Sequence, residues 1–184
     1  MLYIIGGASR SGKTLTAKKL SKRLTVPYLS LDWLVMGFGN GVPEYGIHHM
    51  LMPDDIAERM WSFLRAMCEA IIINNEDCVV DGEAVLPELL IGLMDKYPDR
   101  IRACFLGYTY IAIPEKVKEV LNYTKTHKDW IHDKSEAYVT DHIENMIHHS
   151  LQIRESCNQH NIRYFDTSQD FMMTLNSALE YMSI

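Results

Sequence analysis

The stretch that decides the fold of this 184-residue chain lies near its N-terminus and reads Gly7-Ala8-Ser9-Arg10-Ser11-Gly12-Lys13-Thr14. Residues 2–5, just before it, form a short apolar run that is typical of a buried strand. Residues 13–24 carry apolar side chains at helical spacing and basic side chains on the other face, which predicts an amphipathic helix. Glycines between a strand and a helix allow consecutive backbone N–H groups to turn toward one anion. The segment therefore predicts a strand, an anion-binding loop and a helix in succession.

The eight residues match the pattern G-x-x-x-x-G-K-[ST], in which each defined position has a chemical task. The unpaired N–H groups and the dipole at the start of the helix attract phosphate. The pattern assigns Lys13 to the terminal phosphates of a nucleoside triphosphate and the hydroxyl of Thr14 to Mg²⁺. We therefore expect all eight residues to bind ATP, with Mg²⁺ as the cofactor.

The rest of the chain alternates short apolar runs with longer amphipathic segments. Further strands are predicted at residues 28–31, 78–80, 101–106 and 162–165. Further helices are predicted near residues 54–73, 87–94, 114–123, 136–159 and 171–181. Glycines concentrate in residues 37–46, which predicts a loop. This alternation implies an α/β fold with three layers, in which helices cover both faces of a parallel sheet.

Composition restricts the class of protein. With 47% hydrophobic and 23% charged residues, the chain is expected to form a single globular domain over residues 1–184. A net charge of −6 without a basic patch excludes non-specific binding of nucleic acid. No apolar run approaches the ~20 residues of a membrane span, and no signal segment precedes the first strand. We therefore expect no membrane association, a cytoplasmic location and four reduced structural cysteines.

The order of these features resembles the P-loop small-molecule kinases, the group that contains adenylate, shikimate, gluconate and phosphoglycerate kinases. The resemblance rests on the glycine-rich motif, an acid after the second strand, Val79-Val80-Asp81-Gly82-Glu83, a polar segment at residues 124–135 and Tyr164-Phe165-Asp166-Thr167-Ser168. It implies a P-loop NTPase fold with a five-stranded parallel sheet and a short lid, ATP and Mg²⁺, and a small-molecule acceptor. The acceptor-binding segment is then expected at about residues 33–75 and the lid at about residues 124–135.

Three carboxylates are candidates for the chemistry. Asp81 ends the third predicted strand, where it would hold the Mg²⁺ shell together with Thr14, although a strand that ends in Asp-Gly is often only a turn. Asp32 ends the second predicted strand. At that position it would have one of three roles: it would accept the proton of an acceptor hydroxyl, bind the acceptor, or cap a helix. Glu83 would bind the acceptor or order the water shell of the metal.

The chain departs from the family in its lid. No arginine lies between Arg102 and Arg154, so the lid cations are Lys125, Lys128 and Lys134. Because a rigid helix places a guanidinium better than a loop places an ammonium, Arg154 is predicted to clamp the transferring phosphoryl group. The alternative is an ion pair at the surface.

Together these residues predict an ATP-dependent kinase for a hydroxyl of a small metabolite, with Lys13, Asp32 and Arg154 as its catalytic residues. Two alternatives remain at this level. One is a kinase for a phosphate or nucleotide acceptor, and the other is a regulatory module that binds ATP without catalysis.

Overall fold

A computed structural model describes residues 1–127 and 130–184. Its strands are β1 Leu2–Gly7, β2 Tyr28–Ser30, β3 Cys78–Asp81, β4 Ile101–Gly107 and β5 Arg163–Asp166. Its α-helices are α1 Lys13–Leu24, α2 Leu31–Gly41, α3 Pro53–Ile73, α4 Pro87–Lys96, α5 Ile113–Thr124, α6 Glu136–Gln159 and α7 Phe171–Ser183. The strands form one sheet in the order β2-β3-β1-β4-β5, and every pairing is parallel. All strands therefore end at one edge of the sheet, where open α/β sheets bind ligands.

Helices cover both faces of this sheet, as the alternation in the sequence predicts. Leu2 and Ile4 of β1 pack into a core that includes residues of α2, α3, α4 and α6. Ile5, which points to the opposite face, packs with residues of α1 and α7, including Leu20 and Leu175. Each such side chain contributes roughly 1.5–3 kcal/mol when it is fully buried. The α/β three-layer fold with a five-stranded parallel sheet is thus confirmed.

A third apolar cluster lies at the carboxyl edge of the sheet. It joins Ala8 and Tyr108, which follow β1 and β4, to Val117 of α5, Ile131 and Val139 of α6. This cluster holds α5 and residue 131 beside the glycine-rich loop. Within the described ranges, no helix is long and apolar enough to cross a membrane. The four cysteines are buried and unbridged.

The prediction of a loop at residues 37–46 is only partly correct. Helix α2 begins at Leu31 and continues through the predicted loop to Gly41, and residues Pro43–Tyr45 form a short 3-10 helix. Each glycine costs a helix about 1 kcal/mol relative to alanine, but burial of Leu31 and Val35 in the core outweighs that cost. As a result, Asp32 lies in the first turn of α2 and not at the end of a strand.

Candidate active site

The glycine-rich loop curls tightly between β1 and α1. The backbone has positive φ at Gly7 (131°), Arg10 (63°) and Gly12 (90°), a conformation that favours glycine. A Cβ added at Gly7 would lie 1.9 Å from the carbonyl oxygen of Leu106, and one at Gly12 would lie 2.7 Å from Leu175. The loop therefore depends on both glycines for its path beside β4 and α7. That path delivers the first N–H groups of α1 to the carboxyl edge of the sheet.

Lys13 is buried at the start of α1, with a side chain only 7% exposed. Its Nζ donates hydrogen bonds to the carbonyl oxygen of Ala8 at 3.2 Å and to Oε1 of Glu83 at 3.0 Å. Burial by itself raises the pKa of Glu83, but the charge and hydrogen bond of Lys13, with smaller contributions from His142 and His149, hold that pKa below its ordinary value. Glu83 is therefore the ionised counter-ion of Lys13.

Thr14 and Asp81 meet as the sequence predicts. Oγ1 of Thr14 donates to Oδ2 of Asp81 at 2.7 Å, and the hydroxyl of Tyr28 donates to Oδ1 of the same carboxylate at 2.7 Å. Burial and the bond to Asp81 raise the pKa of Tyr28, so this tyrosine stays a donor. A hydroxyl and a carboxylate oxygen are ligands that Mg²⁺ prefers. The donor set of Thr14 and Asp81 therefore fits the predicted metal.

Asp32 faces the same space from the first turn of α2. Its side chain is exposed to solvent, yet desolvation by the surrounding protein raises its pKa. The charge of Lys13 opposes that shift, whereas Glu83 and Asp81 add to it. A carboxylate with a raised pKa is a stronger proton acceptor when it is ionised.

Lys13, Thr14, Asp32 and Glu83 line one cavity of about 460 Å³, which we call the P-loop cavity. Seven of its lining residues were expected from the sequence: Ser9, Arg10, Gly12, Lys13, Thr14, Asp32 and Glu83. Seven were not: Leu15, Lys116, Glu119, Val120, Tyr123, Trp130 and Phe171. Within the loop itself, Oγ of Ser11 is buried and has no hydrogen-bond partner among the described residues. The lining combines a loop suited to phosphate, three carboxylates, and apolar and aromatic side chains.

Comparison with solved structures finds matches that cover the whole chain, and three of them are kinases of known substrate class. A shikimate kinase from Bacteroides thetaiotaomicron matches with a TM-score of 0.59 at 16% identity, over 100% of this chain and 99% of that one. A gluconokinase from Sinorhizobium meliloti 1021 has a TM-score of 0.59 at 16% identity, over 99% and 90%. A sugar kinase from Janibacter sp. HTCC2649 has a TM-score of 0.57 at 14% identity, over 100% and 94%. The chain has the fold of the P-loop small-molecule kinases. No protein-family model matches the sequence, and no curated protein matches it either.

Within this P-loop kinase fold, Arg154 does not lie where the sequence prediction needs it. It is absent from the lining of the P-loop cavity. Its guanidinium donates to Oγ1 of Thr109 at 2.9 Å and lies over the ring of Tyr110, 5.0 Å from the centroid. These contacts hold Arg154 beside the segment that follows β4. The prediction that it clamps the phosphoryl group is not supported by this placement.

The lid lysines are also directed elsewhere. Nζ of Lys125 donates to Asn122 at 2.9 Å, and Nζ of Lys134 lies 5.2 Å from the ring centroid of Tyr138. Neither lines the P-loop cavity, and Lys128 lies outside the described residues. From the lid, Trp130 reaches the cavity, where its ring lies 5.6 Å from the guanidinium of Arg10.

Lys116 is the cavity cation that the sequence analysis missed. It lies in α5 with Val117 and Val120 among the buried residues of that helix. One feature of the sequence indicates that Lys116 is buried. It lies four residues before Val120, and residues at this spacing share one face of a helix.

A smaller cavity of about 170 Å³ lies between α3, α4 and α6. Three carboxylates, of Asp54, Glu58 and Glu88, are among its lining residues, together with the buried His149. Nδ1 of His149 lies 3.2 Å from Oδ1 of Asp54, and this interaction, opposed by burial, holds the pKa of Asp54 below its ordinary value. His149 also helps to lower the pKa of Glu83, which lines the P-loop cavity.

Proposed function

We propose that this protein transfers the γ-phosphoryl group of ATP to a hydroxyl of a small metabolite. The observation that carries the proposal is the P-loop cavity, which is lined by Lys13, Asp32 and Thr14, the last of these hydrogen-bonded to Asp81. The likeness to a shikimate kinase, a gluconokinase and a sugar kinase supports the proposal at the level of the fold alone. Residues 7–14 would bind the phosphates of ATP, while Asp32 and Glu83 would bind the acceptor.

The residues have distinct tasks in the proposed transfer. The acceptor oxygen attacks the γ-phosphorus as the bond to the β–γ bridging oxygen breaks, and ADP leaves with the electron pair. Asp32 takes the proton of the hydroxyl. Lys13 and the N–H groups of the loop bind the phosphates, and Thr14 and Asp81 hold the Mg²⁺ shell. When bound, Mg²⁺ neutralises charge on the phosphate oxygens.

The charges around the acceptor end favour a hydroxyl acceptor over a phosphate acceptor. Asp32 and Glu83, which we propose to bind the acceptor, are both carboxylates and both line the P-loop cavity. A nucleoside monophosphate would bring its charge close to these carboxylates, and like charges in a partly desolvated site cost several kcal/mol. We further propose an acceptor-binding segment at about residues 33–75 and a lid at about residues 124–135, both within a single domain over residues 1–184.

An acceptor panel tests the proposal. ADP formation from ATP and Mg²⁺ is measured with the full chain and separate additions of sugars, polyols, hydroxy acids, nucleosides and nucleoside monophosphates. Stimulation by a hydroxyl compound, absent from Lys13→Met, is the expected result. Stimulation by nucleoside monophosphates alone would identify a nucleotide kinase. ATP binding without stimulation by any acceptor would identify a regulatory module.

A further inference from the structure

Lys116 of α5 lines the P-loop cavity with a charged side chain. Its side chain is only 2% exposed, although lysine is among the residues least often buried. Nζ lies 4.7 Å from the ring centroid of Tyr108 and 5.6 Å from that of Phe171. A Cβ added at Gly12 would lie 2.9 Å from the edge of the Phe171 ring. The ammonium of Lys116 is therefore held beside the end of the loop, where α1 begins.

The ammonium is only partly satisfied by the protein. Nζ donates to Oε2 of Glu119 at 3.0 Å, and this is its one hydrogen bond among the described residues. An ammonium has three donors, so two are left to the cavity and the two aromatic rings. Glu119 is 49% exposed and lies one helical turn away, so it can turn to solvent without disturbing the core.

Lys13 shows the same arrangement on the other side of the cavity. Its Nζ lies 3.0 Å from the carboxylate of Glu83, and its side chain is 7% exposed. Both lysines are thus buried, line one cavity and are each paired with a single carboxylate. A phosphate chain that enters between them can take over both ammonium groups, because an anion of several charges competes well with one carboxylate.

Few other cations reach the cavity in the part of the chain that the structure describes. Arg154 is bound to Thr109, and Lys125 and Lys134 do not line the cavity. The described basic residues that do line it are Arg10, Lys13 and Lys116.

We propose that Lys116 is a second phosphate-binding lysine, which contacts the phosphate chain of the nucleotide from α5 while Glu119 serves as its counter-ion in the ligand-free protein. The proposal rests on the proposed function for the identity of the nucleotide. In this proposal, helix α5 supplies positive charge to the phosphates, which the lid, a segment without arginine, does not supply.

Binding measurements on the full chain test this role directly. Dissociation constants for adenosine, AMP, ADP and ATP are measured by calorimetry with Mg²⁺ for the wild type, Lys116→Met and the control Lys118→Met. Lys118 is exposed on the same helix. In Lys116→Met, we expect adenosine to bind within about twofold of wild type, and ADP and ATP about 10–100-fold more weakly, the range for a charge-assisted hydrogen bond. Lys118→Met should resemble wild type for every ligand.

Equal loss for adenosine and ADP would overturn the proposal, because Lys116 would then support the nucleoside. No loss for any ligand would overturn it as well. If Lys116→Met does not fold, Lys116→Arg and Glu119→Gln replace it. Lys116→Arg should still bind ADP more tightly than adenosine, as the wild type does. Glu119→Gln should bind ADP at least as tightly as wild type. Weaker binding of ADP by Glu119→Gln would contradict the counter-ion role of Glu119.

These outcomes are separate from failure of the proposed function. The proposal for Lys116 holds if the wild type binds ADP more tightly than adenosine and Lys116→Met does not. This result would stand even if no acceptor is phosphorylated. If wild type binds ADP no better than adenosine, the phosphate site itself is wrong and the role of Lys116 falls with it.

Discussion

The two walls of the P-loop cavity differ in how far apart their residues lie in the sequence. One wall is the loop of residues 7–14, which is contiguous and uses main-chain groups together with Lys13. The opposite wall is assembled from α5, Trp130 and Phe171, which lie more than 100 residues further along the chain. Each wall holds a buried lysine paired with a carboxylate at 3.0 Å. A buried lysine that is paired with a carboxylate can therefore arise from a local sequence motif or from tertiary packing alone.

Removal of the lysine from the contiguous wall should have the largest effect. Lys13→Met keeps most of the side-chain volume but leaves the phosphates without their closest cation, so kcat should fall by at least about 10³-fold. Steady-state ADP release with the acceptor identified by the panel measures the change. Lys19→Met, an exposed position on the same helix, is the matched control. Near-wild-type turnover in a folded Lys13→Met variant would remove the basis of the phosphate-site assignment.

A change at the acceptor end separates proton transfer from phosphate binding. Asp32→Asn is nearly isosteric but cannot take a proton, so kcat should fall by about 10²–10⁴-fold. Because desolvation raises the pKa of Asp32, the wild type should lose activity as pH falls through that raised pKa. In a pH–rate profile, Asp32→Asn should not show this loss of activity at low pH. An unchanged kcat with a raised KM would mean that Asp32 only binds the acceptor.

Thr14→Val probes the metal side of the contiguous wall. The substitution preserves shape but removes the hydroxyl that contacts Asp81, so the Mg²⁺ concentration for half-maximal activity should rise about tenfold. Titration of Mg²⁺ at saturating ATP measures this shift. Thr14→Ser retains the hydroxyl and should restore the wild-type requirement, and a requirement that stays unchanged in Thr14→Val would argue against Thr14 as a metal ligand.

The smallest effect on turnover is expected outside both walls. Arg154→Met removes the hydrogen bond to Thr109 and the contact with Tyr110. It should lower the free energy of unfolding by about 1 kcal/mol and leave kcat within about twofold. Urea unfolding and steady-state kinetics provide the two readouts. A tenfold loss of kcat without a loss of stability would return Arg154 to the catalytic role predicted from sequence.

Several elements could be predicted because their signals are local. Helix α6 has the bounds expected from its apolar periodicity, and Asp81 ends β3 as its apolar run indicates. Helix α2 could not be predicted, because glycines at 37, 39 and 41 weaken any local helical preference. Burial of Leu31 and Val35 decides that segment, together with the close approach of Leu31 to Gly82, where an added Cβ would lie 2.5 Å away.

By itself, the sequence determined the order of the strands and of every helix except α2, the glycine-rich loop and the adjacency of Lys13 and Thr14. These features depend on neighbouring residues, because consecutive N–H groups and one helical turn define them. Only the tertiary structure decided which distant cation reaches the cavity. Tyr108 and Phe171, which follow β4 and β5, hold the ammonium of Lys116 beside the loop, whereas Thr109 holds Arg154 away from it. Burial of a long basic side chain depends on partners that are far away in sequence, so spacing along the chain cannot rank one cation above another.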